Sequence, residues 1–287
     1  MNNIDTTDNK SASRVYALFY SFFLIPLMIT IFGVLFFFLF KMLTYEEQDP
    51  YHLLNNIKSG SLTKRWQSAY ELSNLMTNPD NIPQDQFFIN QMISMHEKSV
   101  HDDCRVRTYL ALAMGQTGNI LFEGALLNGL KDKNIENKIA AIKSLGSIKS
   151  FKSVDELIKI VDSRGDEQER LAAIISLGQI QDKSSIPVLE KVLDDEEANI
   201  RWDAAISLIK MRSDKGLYVL EKLLKRDYYL NYPNVDENEI NNTILTVLAL
   251  VSKFPRDNFN DELILLSKSD KNIKIREFSM KILSEHY

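Results

Sequence analysis

The chain repeats itself every 31 to 32 residues, and that period restricts its fold more than any other feature. The clearest copies are "NKIAAIKSLGSI" at 137–148, "ERLAAIISLGQI" at 169–180 and "IRWDAAISLIKM" at 200–211. Aligning them puts Lys138, Arg170 and Arg201 in one column and Leu145, Leu177 and Leu208 in another, always seven residues later. The same spacing joins Arg65 to Leu72, Arg107 to Met114 and Arg276 to Leu283, and a degenerate copy fits around Asn241 and Leu248. A period of this length holds one supersecondary unit, too small to bury its apolar face alone, so neighbouring units must stack on a shared core.

The unit is a pair of helices. Ile139, Ile142 and Leu145 fall at helical spacing, and after a short turn a second apolar helix follows, as in "SVDELIKIV", "SIPVLEKVL" and "GLYVLEKLL". Four residues ahead of the basic column stand Ser61, Asp103, Asn134, Asp166, Glu197 and Asn272. All but Glu197 are strong N-cap types, able to accept an orphan backbone N–H at a helix start, so the recurring acids and bases read mostly as structure. Gly115, Gly146 and Gly178 follow the Leu column, where a missing side chain lets the chain turn or a neighbouring helix come close. With only ten Gly and seven Pro in 287 residues, the composition suits long helices. The expected fold is all-α: an α-solenoid of about seven helix pairs preceded by one transmembrane helix.

That leading helix is read from Val15 to Phe40, 26 residues without a charge. At about 1.5 Å per residue it would be about 39 Å long, more than the roughly 30 Å of a bilayer core. Tyr16 and Tyr20 near one end, and Lys41 and Tyr45 past the other, suit the interfaces. A buried core helix seldom runs so far without a polar face, and "FLFKMLTYEE" lacks the small-residue cleavage site of a signal peptide. Pro26 lies inside the span, where it can kink the helix. The resulting division is a disordered tail over 1–14, a bilayer-spanning helix over 15–41, a juxtamembrane segment over 42–58 and the solenoid over 59–287. Lys10, Arg14 and the terminal amine outweigh Lys41 in positive charge, which favours a cytoplasmic N-terminus and puts the solenoid on the non-cytoplasmic side.

These motifs resemble HEAT repeats, in particular the short bacterial form seen in phycobilin-lyase-type proteins. The resemblance runs from about Pro50 to the C-terminus and is most specific in the middle three units. It implies an armadillo-like helical scaffold whose second helices line the concave side and hold a protein partner. The whole layout is similar to membrane-anchored HEAT proteins of bacteria, which implies a single-pass protein of the inner membrane.

Charge and motifs narrow the chemistry. Residues 1–44 hold three of the 34 basic and two of the 39 acidic side chains; the remaining 31 and 37 give a net charge of −6, unsuited to nucleic acid. The single cysteine, Cys104, excludes an internal disulfide framework. No Gly-rich phosphate loop, metalloprotease His-Glu helix or nucleophile elbow is present. Some HEAT-type proteins are iron hydroxylases built on repeated His-Glu pairs, but His96-Glu97 occurs once, and it reads as a surface histidine beside a helix end. His101, Asp102, Asp103 and Cys104 are adjacent residues that rarely converge on one ion, and Asp103 is already a cap. The expectation is therefore no enzyme, cofactor or metal, but a membrane-associated protein partner and, through 15–41, the lipid bilayer. An enzyme of lyase or hydroxylase type, with a prosthetic group in the groove, is the competing class.

Two candidate contact surfaces follow. Lys159, Lys191 and Lys222 form a column on the second helices, either a stripe for an anionic partner or solvated lysines balanced by Glu190 and Glu221. The lengthened connection "DYYLNYPNVDE" brings Tyr228, Tyr229 and Tyr232, either a contact patch or a cover for the irregular sixth repeat. A second lengthened connection, "NPDNIPQD", reads as a rigid surface turn.

Overall fold

Two stretches of sequence with opposite patterns, one uniformly apolar and one periodic, give two separate units, Met1–Gln48 and Asp49–Tyr287. The computed structural model describes residues 19–43, 49–163 and 165–286. The expected tail 1–14 and the first residues of the expected span, 15–18, lie outside them.

In the first unit a π-helical turn, Tyr20–Leu24, runs into helix α1, Ile25–Leu43. Pro26 has no N–H to give, and the wide turn stands directly before it, with Ile25 N–H bonded to Tyr20 O. Tyr20–Met42, 23 residues, is long and apolar enough to cross a membrane, and its apolar stretch is wholly unburied.

The second unit holds fourteen α-helices among the described residues and no strand. They are α2 (Pro50–Ser59), α3 (Leu62–Leu75), α4 (Gln86–Lys98), α5 (Cys104–Gln116), α6 (Glu123–Gly129), α7 (Ile135–Ser147) and α8 (Val154–Asp162). Then come α9 (Glu167–Ile180), α10 (Ile186–Lys191), α11 (Ala198–Lys210), α12 (Leu217–Leu224), α13 (Glu237–Lys253), α14 (Asn260–Ser269) and α15 (Ile273–His286). Odd-numbered helices from α3 onward carry the Arg and Leu columns and pack on one another; even-numbered helices form the second row. This is the α-solenoid that the period requires. The unit starts earlier than the expected boundary at 59. Helix α2, assigned to a juxtamembrane segment, buries Leu53, Leu54 and Ile57 against α3 and α4 and is the first half-repeat.

Helix starts follow the caps. Ser61, Asp103, Asn134, Asp166 and Asn272 each accept a backbone N–H from the first turn, while Glu197 makes no such bond. Helices α5, α7, α9 and α11 all stop on a left-handed residue: Gly118 (φ 64°), Lys149 (54°), Gln181 (63°) and Arg212 (61°). Only the first is the residue type that adopts this backbone without a Cβ penalty.

The tight stacking of α5, α7, α9 and α11 rests on small residues. Ser144, Ser176 and Ser207 donate across the helix interface to Ala111 O, Ile142 O and Ile174 O at 2.8, 2.9 and 3.0 Å. Facing them are Gly115, Gly146 and Gly178; a Cβ on Gly115 or Gly146 would fall 2.7 Å from the Cα of Ser144 or Ser176. The close approach anticipated for these glycines is thus their role, and each Gly receives the Ser of the next repeat. At α11 the Gly position is Ile209, and the facing Ser position on α13 is Val247. The stack loosens there, leaving a cleft of about 610 Å³ between α11 and α13 floored by Leu171, Trp202 and Ile206.

Candidate partner-binding surface

The basic column holds consecutive repeats together. Arg107 Nε lies 3.0 Å from Asp132, Lys138 Nζ 2.6 Å from Glu169 and Arg170 Nη2 2.5 Å from Asp195, and Arg65 pairs with Asp102. Each aspartate also takes the N–H of a residue at the next helix start: Asp102 from Asp103, Asp132 from Asn134, Asp195 from Glu197. The acceptors were missed in the sequence, although an Asp two residues before the cap at 132, 195 and 270 is a readable signal. In the sixth repeat the basic position is Asn241. Arg226, from the lengthened connection, takes over: it grips Asp270 through two bonds of 2.7 and 2.8 Å and donates to Asn241 at 2.7 Å. Burial raises the Asp270 carboxyl's pKa, but the Arg226 bonds outweigh this and hold it below its ordinary value.

His96 is not a surface residue. It is 2% exposed beside Arg107 and Asp132, and burial, helped by the Arg107 charge, lowers its pKa to about 4. Asp102 and Asp103 are committed, to Arg65 and to Arg105. No group of three His, Cys, Asp or Glu able to hold a metal occurs among the described residues.

The three lysines fall at one register position of α8, α10 and α12, exposed as the alignment requires, but each has its own neighbour. Lys159 Nζ is 3.1 Å from Glu156, Lys191 pairs with Asp162, and Lys222 Nζ lies 5.3 Å from the centroid of the Tyr218 ring. The facing acids are thus Glu156 and Asp162, not Glu190 and Glu221. With Lys159 and Lys191 72% and 68% exposed, such pairs hold little free energy and can exchange for a partner's carboxylates.

The tyrosines fold inward onto Trp202. Their ring centroids lie 6.3 Å (Tyr228), 5.9 Å (Tyr229) and 5.2 Å (Tyr232) from it. Tyr229 is 3% exposed and donates to Leu223 O at 2.7 Å; burial pushes its hydroxyl far above the ordinary phenol range. Arg201 donates to Tyr232 Oη at 2.8 Å, and the Tyr228 and Tyr232 hydroxyls are 3.0 Å apart. Burial would raise Tyr228, but its bonds with Tyr232, Trp202 and Arg201 bring it below the usual value. The cover reading of this loop therefore describes Tyr229, and Tyr228 and Tyr232 are half-buried.

Lys222 and Tyr228 nevertheless come together on one cleft, about 840 Å³, between α12 and α14. Its walls also carry Leu224, Leu265 and Leu266, with Leu265 56% exposed, the bases Lys225, Arg226 and Lys271, and the acids Asp227, Glu262 and Asp270. Lys225 lies 3.9 Å from Glu262, and Lys271 pairs with Glu237. The cleft thus has apolar walls within a rim of mixed charge. Lys191 and Lys159 stand one and two repeats away from it.

Residues 154–230 match the family model for HEAT repeats. No curated protein matches the chain. Among solved structures, the complex of CpcE and CpcF of phycocyanin lyase from Nostoc sp. PCC7120 aligns over 85% of this chain and 90% of that one, with 18% identity and a TM-score of 0.59. A designed armadillo repeat protein in complex with the peptide (KR)4 aligns over 83% and 99%, at 15% identity and a TM-score of 0.42. Human deoxyhypusine hydroxylase in complex with glycerol aligns over 82% and 83%, at 14% and 0.33. The first of these likenesses is one of fold alone, and the sequence match to HEAT repeats covers residues 154–230.

Proposed function

We propose that this protein is a membrane-anchored adaptor. Helix α1 lies across the bilayer, and the solenoid holds a membrane-associated protein partner on its second-helix surface. The observation that carries the reading is the α12–α14 cleft, where exposed Leu265 is rimmed by Lys222 and Lys225 and continued by Lys191 and Lys159. Tethering raises the local concentration of the cleft near its partner, so modest contacts suffice. Placing the solenoid on the non-cytoplasmic side follows from the positive charges at Lys10 and Arg14.

The test is photocrosslinking in native membranes from a probe at Leu265, with one at Lys183 as control. A partner captured from 265 and lost in the Lys191→Glu, Lys222→Glu variant supports the adaptor. Equal capture at both sites, or none at 265, refutes the cleft. The likeness to the phycocyanin lyase complex motivates one rival, an enzyme holding a prosthetic group. Visible absorbance from a group that stays bound when the protein is purified from its native membranes would replace the adaptor reading.

A further inference from the structure

The second-row helices begin along one edge of the solenoid, and the residues at those starts change character along the chain. Three positions recur. The third is always buried: Phe88, Phe122, Ser153, Ser185, Gly216 and Phe259. The first two face outward. In the first three repeats they include Phe87, Ile120, Leu121 and Phe151, which are 62%, 50%, 54% and 63% exposed. In the next three the same positions are Lys183 with Ser184, Asp214 with Lys215, and Asp257 with Asn258, all exposed. The 3-10 turns at 120–122 and 151–153 and those at 183–185, 214–216 and 257–259 thus carry apolar side chains in one half of the edge and polar ones in the other, with Phe buried at the third position in both halves, so packing does not dictate the difference.

The edge is continuous. Tyr51, at the start of α2, rests edge-to-face on Phe88 at 5.4 Å and donates to Asp85, the cap of α4. Glu123, at the start of α6, accepts from Ser150 at 2.8 Å and Lys152 at 2.7 Å, the residues on either side of Phe151. The chain also joins the solenoid at this edge, because Asp49 caps α2 there. Residues 44–48 are the only chain between α1 and Asp49, at most about 20 Å of it.

We propose that the apolar half of this edge, Phe87, Ile120, Leu121 and Phe151, inserts into the headgroup region of a lipid bilayer. The inference rests on the reading of α1 as a membrane anchor. The apolar positions are confined to the repeats nearest the point where the anchor's linker joins, as contact with the anchor's own membrane requires. A partner bound elsewhere would impose no such gradient. Exposed Lys149 flanks Phe151 on one side and Lys152, paired with Glu123 but 76% exposed, on the other, and large apolar side chains beside basic ones are the composition of interfacial segments.

The experiment uses the full chain with Cys104→Ser, reconstituted in phosphatidylcholine–phosphatidylglycerol vesicles. An environment-sensitive dye is placed at Leu121→Cys, Phe151→Cys, Ser184→Cys, Lys215→Cys or, within α1, Leu35→Cys, and lipids carrying a shallow doxyl quencher are added. The proposal expects quenching of about half the emission at 35, 121 and 151 and none at 184 and 215. Quenching at 35 alone overturns the edge proposal and leaves the anchor intact. Loss of quenching at 35 overturns the anchor reading and this proposal with it. Dyes at 121 and 151 that are shielded from aqueous iodide yet untouched by the lipid quencher mean that a protein or a second copy covers the edge, which also overturns it.

Discussion

From α5 to α11 the solenoid stacks through a repeated Gly and Ser pair; from α11 to α13 the same register offers Ile209 and Val247 and the helices part. The difference shows how strongly one small side chain governs a repeat interface. In the tight region the helices come near enough for Ser Oγ to reach a neighbouring carbonyl, and Arg107, Lys138 and Arg170 of the basic column each meet a carboxylate directly. In the loose region the inserted 226–232 segment does both jobs: Tyr228, Tyr229 and Tyr232 close over Trp202, and Arg226 replaces the missing base at 241. Clefts open on both sides of this junction, one against α11 and one between α12 and α14.

The sharpest way to break the loose region is Arg226→Ala. Asp270 is 1% exposed on its side chain and would be left with a buried charge, so urea denaturation should show a loss of about 4 kcal/mol. The tight region breaks at Gly178→Val, whose Cβ would lie 2.6 Å from Ser207 Cβ and 2.9 Å from its Cα; about 3 kcal/mol should be lost in the same assay. Gly124→Val, with no atom within 4 Å of its Cβ, serves as the steric control.

Two groups shifted by burial, His96 on α4 against Arg107 of the tight region and Asp203 on α11 at the loose one, should answer pH with opposite signs. His96 titrates at about 4 in the folded chain, below its ordinary 6.5, so the unfolded chain binds more protons between these values. Its contribution is complete above pH 6.5 and falls by about 3 kcal/mol as pH drops through 4, a slope that His96→Gln should remove. Asp203, beside the α11–α13 cleft, is raised by burial to about 6 from 3.8, so its contribution is present in acid and lost as pH rises through 6. Asp203→Asn should therefore stabilise the chain at pH 7, by about 2 kcal/mol, and change nothing below pH 4. Denaturation midpoints from pH 3 to 8 check both signs.

The smallest effect belongs to the helix ends. Arg212 holds a left-handed backbone, φ 61°, where its counterpart after α5 is Gly118. Arg212→Gly should gain roughly 0.5–1 kcal/mol in thermal unfolding, and Gly118→Ala should lose a similar amount.

Much of this was legible in the sequence because it depends on residues that must recur. The Leu column, the caps and the stacking glycines fall out of the alignment, since each meets the same environment in every repeat. The acceptor aspartates were hidden by standing beside the caps, where an acid already had an explanation. His96 was misread as surface because one polar residue near a helix end carries no sign of its burial, which comes from α5 and the turn at Asp132. Helix α2 falls in the expected juxtamembrane segment, although the resemblance starts near Pro50, because it is a second-row helix without a preceding partner. The candidate surface was half legible. The alignment places the three lysines at one register, but which acids face them and how far the tyrosines turn inward depend on packing between repeats, which the sequence of one repeat does not contain.

The most direct test of the account is native-state hydrogen exchange followed by mass spectrometry. Stacking through Gly and Ser predicts that amides of α7, α9 and α11 are protected together, exchanging through a common opening, while those of α13 and α15 open separately and faster. Equal protection of α9 and α13, exchanging as one unit, would contradict it.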